Sequence, residues 1–133
     1  MKTDWQSIHT AASGLAPQMP GEPIQFFRVR RDDSWVDLDL TGLRLDTDKP
    51  GLCNLGHLPD WATAALPHQY FWVNDSPKSL HPSLCAIYYG KTIYWTEALA
   101  NGMLLVQRPE TLRGGFSFRT NAAFPEHLAI KEG

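Results

Sequence analysis

The dominant pattern along this chain is alternation. From Trp35 to Leu40 it is strict: Val36, Leu38 and Leu40 point one way, and Trp35, Asp37 and Asp39 point the other. Ile24 to Arg30 is a β-rich run just before it, and Arg31-Asp32-Asp33-Ser34 between the two is a turn cluster. The pair therefore reads as a hairpin with one wet face. Leu43 and Leu45 resume the alternation after Thr41-Gly42, up to a turn at Asp48-Lys49-Pro50-Gly51. Further strands are predicted over Tyr70–Val73, Cys85–Tyr89, Thr92–Trp95, Met103–Gln107 and Phe116–Arg119. Gly90-Lys91 supplies a two-residue hairpin turn, and Gly114-Gly115 separates the last two runs.

Helical signals are fewer. Thr3-Asp4-Trp5-Gln6 has the form of a capping box, and Trp5, Ile8, Ala12 and Leu15 fall on one helical face, so an amphipathic helix is expected over residues 4–13. Pro59 at a first helical position, with Asp60 in the first turn and Pro67 as a stop, predicts a short helix over 59–66. One or two turns are expected from Thr96 to Asn101, closed by Gly102, and a last short helix from Pro125 to Ile130. Strands mostly follow strands without regular intervening helices. The expected fold is therefore α+β: a mainly antiparallel sheet of about six to eight short strands with these helices packed on it.

The chain has 133 residues, close to the commonest domain size, and is expected to form a single domain spanning 1–133. With 43% hydrophobic residues it can fill one core without disulfides. A net charge of −2 argues against bulk electrostatic binding of nucleic acid. That charge is uneven: from Asp32 to Asp60 seven aspartates face Arg44 and Lys49, whereas from Lys78 to Lys131 six basic residues face three glutamates. No apolar stretch suits a signal peptide or membrane span, and two cysteines make no secreted disulfide framework, so a cytoplasmic location is expected.

Complete catalytic signatures are missing. Gly90-Lys91-Thr92 ends like a phosphate-binding loop but lacks its first glycine, where Cys85 stands; the serine-elbow likeness at Gly115–Arg119 lacks its closing glycine; Arg113-Gly114-Gly115 lacks dinucleotide-binding spacing. Asp46-x-Asp48 fails as a calcium loop, having Pro50 at position five and His57 at position twelve. Cys53-x3-His57 and His81-x3-Cys85 mirror each other, and four such ligands would suffice for a zinc site; the alternative is buried thiols with surface histidines. The same residues could serve a thiolate nucleophile and its base.

Two functions follow from these residues. The preferred one is a small protein-binding module, of the inhibitor or immunity type, that occupies a partner protein's surface. Its contact residues would be Trp35, Asp37 and Asp39, with Arg28 and Arg30 at the margin, because an exposed tryptophan among carboxylates supplies an anchor and charge selectivity. The other is a small enzyme or ligand-binding protein with an aromatic pocket lined by Tyr70, Trp72, Tyr88, Tyr94 and Trp95, with the Cys/His set as its zinc site. No nucleic acid or membrane partner is expected, and unprotected edge strands leave monomer and homodimer both open.

Overall fold

The computed structural model describes residues 1–10, 27–41, 43–45, 53–76, 82–96 and 111–131. Among them the regular structure is nearly all β: eleven strands and two single 3-10 turns, Asp60–Ala62 and Glu126–Leu128. One antiparallel sheet has the order β1 (Gln6–Ser7), β3 (Arg28–Asp32), β4 (Trp35–Asp39), β11 (Gly115–Arg119). The other runs β2 (His9–Thr10), β6 (Cys53–His57), β9 (Thr92–Trp95), β8 (Pro82–Tyr88), β7 (His68–Ser76), β10 (Thr111–Arg113), β5 (Leu43–Arg44).

The two sheets are continuous. The chain crosses from one to the other at Ile8 between β1 and β2, after Leu40 between β4 and β5, and at Gly114 between β10 and β11. With each of these pairs counted as one bent strand, the hydrogen-bonded neighbours run β1/β2, β3, β4/β5, β10/β11, β7, β8, β9, β6 and back to β2. That circuit of eight strands closes on itself, which is a barrel bent at its corners. Counted as bent strands, each member of the circuit has a hydrogen-bonded neighbour on both sides, but among the described residues β11 and residues 68–73 of β7 are each paired along one side only. Glycine makes the bend at Gly114 and Gly115. Gly114 has φ +139, and a Cβ on Gly115 would sit 2.6 Å from the Leu38 carbonyl oxygen. The junction between β11 and the first half of β7 is filled by side chains, with the Phe71 and Phe116 rings stacked at 4.8 Å.

Inward side chains fill the barrel: Val29 and Arg31 on β3, Val36 and Leu38 on β4, Leu55 on β6, Phe71 and Val73 on β7, Cys85 and Ile87 on β8, Ile93 and Trp95 on β9, Leu112 and Phe118 on β10 and β11. Trp95 is buried with its indole N–H donating to Ser83 Oγ at 2.6 Å, so its one polar atom is satisfied. Each of the buried Val, Leu, Ile and Phe side chains contributes about 1.5–3 kcal/mol by leaving water.

The α+β expectation is overturned by this architecture. The N-terminal amphipathic helix is absent: residues 6–7 and 9–10 are strands that pair with β3 and β6. The capping-box threonine does accept a backbone N–H, but from Arg31 across the sheet at 2.9 Å. Pairing with β3 and β6 outweighs a weak helical periodicity. The helix expected over 59–66 is one 3-10 turn, and that over 125–130 is another. Residues 97–101 and 103–107, expected as helical turns and a strand, lie outside the described residues. The β8–β9 turn is shifted one residue from the expected Gly90-Lys91, with Tyr89 and Gly90 both at positive φ (+56 and +68).

Candidate functional site

The residues expected to meet a partner lie together on the outer face of the four-stranded sheet. Antiparallel register places Arg28 opposite Asp39 and Arg30 opposite Asp37, with Trp35 at the turn end of β4. Each arginine Nε donates to the aspartate across from it at 2.9 Å, and both guanidinium carbons sit 4.5 Å from the Trp5 ring centroid. Burial pushes the Asp37 carboxyl up, but hydrogen bonds from Ser117 and Arg30 outweigh it and leave its pKa lowered. Asp39 is the same case, with Thr41 and Arg28 as the partners that win. The acidic stripe is therefore half of a cross-strand charge ladder: these carboxylates are already neutralised by their neighbours. Trp35 is exposed, with the Arg119 guanidinium 5.7 Å above its ring.

Of the Cys/His set, Cys53, His57 and Cys85 are among the described residues. Cys53 on β6 and Cys85 on β8 are both buried, and both are in register with Trp95 on the strand between them. Two strand spacings, roughly 9–10 Å, thus separate them, too far for a disulfide. His57 is exposed at the far end of β6, its Nδ1 3.2 Å from Thr92 Oγ1. His81 lies outside the described residues. Among the described residues, no three His, Cys, Asp or Glu side chains gather as a metal site would require.

A different surface stands out. On the outer face of the seven-stranded sheet, register stacks three rows: His68, Tyr88, Thr92 and His57; then Tyr70, Ala86, Tyr94 and Asn54; then Trp72 and Leu84. The rings touch in a chain. Tyr89, His68, Tyr88 and Tyr70 follow one another at centroid distances of 5.3, 5.4 and 6.2 Å, all edge-to-face, and Tyr94 lies 5.3 Å from Tyr88. Tyr70, Trp72 and Tyr89 remain 59%, 62% and 82% exposed. The Tyr70 and Tyr88 hydroxyls meet at 3.4 Å, and that hydrogen bond, together with burial and the neighbouring phenols, raises the Tyr88 pKa to about 12.

Tyr89 is held rigidly and at a cost. Around it the turn is docked on the 58–67 segment: Ala64 N–H donates to the Gly90 carbonyl at 2.7 Å, Gly90 N–H to Pro67 at 2.9 Å, and Leu58 N–H to Lys91 at 2.8 Å. A tyrosine at positive φ is disfavoured by about 1–2 kcal/mol relative to glycine. Asn54, beside Tyr94 on the β6 bulge, carries a buried side-chain oxygen with no hydrogen-bond partner. Four of the five expected pocket aromatics, Tyr70, Trp72, Tyr88 and Tyr94, do share this face; Trp95 is in the core. Sequence reasoning missed His68, Tyr89 and Asn54. The alternation of His68, Tyr70 and Trp72 with Phe71 and Val73 was the available signal.

No protein family matches this chain, and neither curated proteins nor solved structures give a significant match.

Proposed function

We propose that this protein is a binding module whose contact surface is the aromatic outer face of β7, β8 and β9, extended by Tyr89. The observation that carries this reading is two large aromatic side chains left exposed on one sheet face, Tyr70 and Trp72, with a third, Tyr89, on the adjoining turn. Contiguous exposed aromatic surface marks interaction sites, and tyrosine and tryptophan supply large contact area at low entropic cost. Hydrogen-bonded strands and a docked turn hold these rings in place before any partner arrives, which lowers the cost of binding. The charged face around Trp35, Asp37 and Asp39 is the weaker surface for such a module, because its carboxylates would have to exchange arginine partners already in place.

The test is differential capture. Wild-type protein and a Tyr70→Ser/Trp72→Ser variant are immobilised side by side and offered the same mixture of cellular macromolecules. A component held by wild type and lost by the variant, with the variant's near-ultraviolet circular dichroism otherwise retained, supports the aromatic face. Equal retention by both, with loss in a Trp35→Ala variant instead, would return the contact surface to the charged ladder.

A further inference from the structure

Resting on that reading, the geometry points to a neutral carbohydrate chain as the ligand of the aromatic face. The described outward side chains of β6, β7, β8 and β9 include no Asp, Glu, Lys or Arg; charged groups stand at the borders, Arg113 of β10 opposite Asn74 and Lys91, paired with Asp60 at 3.1 Å, on the Tyr89 turn. Among small biological polymers, this selects against phosphate and uronate backbones, whose binding relies on cationic side chains. What the face does offer is stacking surface with neutral hydrogen-bonding groups set into it: the phenols of Tyr70 and Tyr88, the hydroxyl of Thr92 and the amide of Asn54. A pyranose ring has the complementary form, with C–H groups on one face that suit the negative face of an aromatic ring and hydroxyls around its rim.

Spacing agrees with a chain rather than a single sugar. Tyr70 and Trp72 are two residues apart on β7, roughly 6.5–7 Å, and His68 and Tyr89 continue the aromatic line past Tyr70. The line is therefore long enough for successive sugar rings to lie along it. Ala86, in register with Tyr70 and Tyr94, puts a small side chain at the centre of the face, between larger ones.

The experiment is affinity electrophoresis of the full chain through gels containing neutral soluble polysaccharides of gluco, manno, galacto and xylo configuration, with anionic polysaccharides alongside. Oligomers of any retarding polysaccharide are then titrated against tryptophan fluorescence. Retardation by at least one neutral polysaccharide is expected, little changed by added salt and weakened roughly tenfold or more in Trp72→Ala and in Tyr70→Ala. Tyr89→Asn, on a separate turn, should also weaken it and guards against a folding artefact in the strand variants. Retardation by anionic polysaccharides alone, or binding that salt abolishes, would overturn the carbohydrate assignment. So would the absence of retardation in every gel. If aromatic-dependent capture of another macromolecule persisted in that case, the binding-module reading would stand without the sugar; if capture failed as well, both would fall.

Discussion

Arg31 is the side chain whose loss should damage this fold most for its size. It points inward from β3, is buried, and donates from its guanidinium to four main-chain carbonyls: Asp33 at 2.6 Å, Trp61 at 2.6 Å, Ala122 at 2.7 Å and Ala123 at 3.1 Å. Those carbonyls belong to the β3–β4 turn, the 58–67 segment and the chain after β11, so one side chain ties three segments together. Phe124 covers it, its ring centroid 5.6 Å from the guanidinium carbon. Burial lowers the guanidinium pKa, opposed by the charge of Asp33, yet it remains the charged donor. Hydrogen bonds from a charged donor are worth about 1.5–3 kcal/mol each, but four on one group are not additive, and some of the freed carbonyls will be reached by water. A loss of about 3–5 kcal/mol is therefore expected for Arg31→Met, which keeps the volume and removes the donors. Set against a total of about 5–15 kcal/mol, that is a large fraction. Arg31→Lys should lose about half as much, since three donors on one nitrogen cannot span three segments. Urea unfolding followed by tryptophan fluorescence reads the difference as a fall in midpoint of roughly 1.5–3 M for Arg31→Met. A midpoint shift below about 0.5 M would mean that solvent satisfies the carbonyls and that the tie has no energetic role.

Asp37 and Asp39 have lowered pKa values in the folded state, so their stabilisation is fully present above the unfolded value near pH 4 and drains away as pH falls through the folded values. The double variant Asp37→Asn/Asp39→Asn should flatten stability against pH below about pH 4, and an unchanged acid limb would refute the ladder. Gly115→Ala must move Leu38 or its strand to relieve a 2.6 Å contact, and a loss of about 1–3 kcal/mol is expected; a neutral effect in thermal unfolding would show that the corner is loose. Tyr89→Asn should stabilise the fold by up to about 1 kcal/mol, because asparagine tolerates positive φ better, while weakening ligand binding. Loss of stability in that variant would make Tyr89 a packing residue. Tyr70→Phe removes the hydrogen bond that raises Tyr88, whose titration, followed by tyrosinate absorbance, should begin at lower pH. Since the raised value favours folding below pH 10 and is lost toward pH 12, the variant should also flatten the alkaline limb of stability.

Much of the local structure was legible in the residues themselves. Strict alternation from Trp35 to Leu40 fixed which side chains face the core, because a strand has only two faces and one of them must be dry. In β9 the expectation set Tyr94 and Trp95 in one pocket, whereas alternation turns Trp95 into the core and leaves Tyr94 on the other face. Alternation was less informative along β7, where His68, Tyr70 and Trp72 alternate with Phe71 and Val73: hydrophobicity scarcely separates the two sets. Only the register with β8 shows that the tyrosine and tryptophan face out, and only that register assembles the aromatic surface from three strands.

Topology was hidden for a related reason. Nothing in a sequence marks that β1 and β2, or β4 and β5, are one strand bent between two sheets, since the bend is set by which neighbours each half finds. The N-terminal segment shows the consequence. Its helical spacing was real but weak, and a few backbone hydrogen bonds to strands far along the chain decided its conformation. The two cysteines show the same dependence: spacing alone did not reveal that Cys53 and Cys85 lie on strands either side of β9, both in register with Trp95. Alternation of side chains is a property of the chain. The pairing of strands, and with it every site drawn from more than one strand, belongs to the folded protein, because it rests on contacts between residues that sequence distance does not relate.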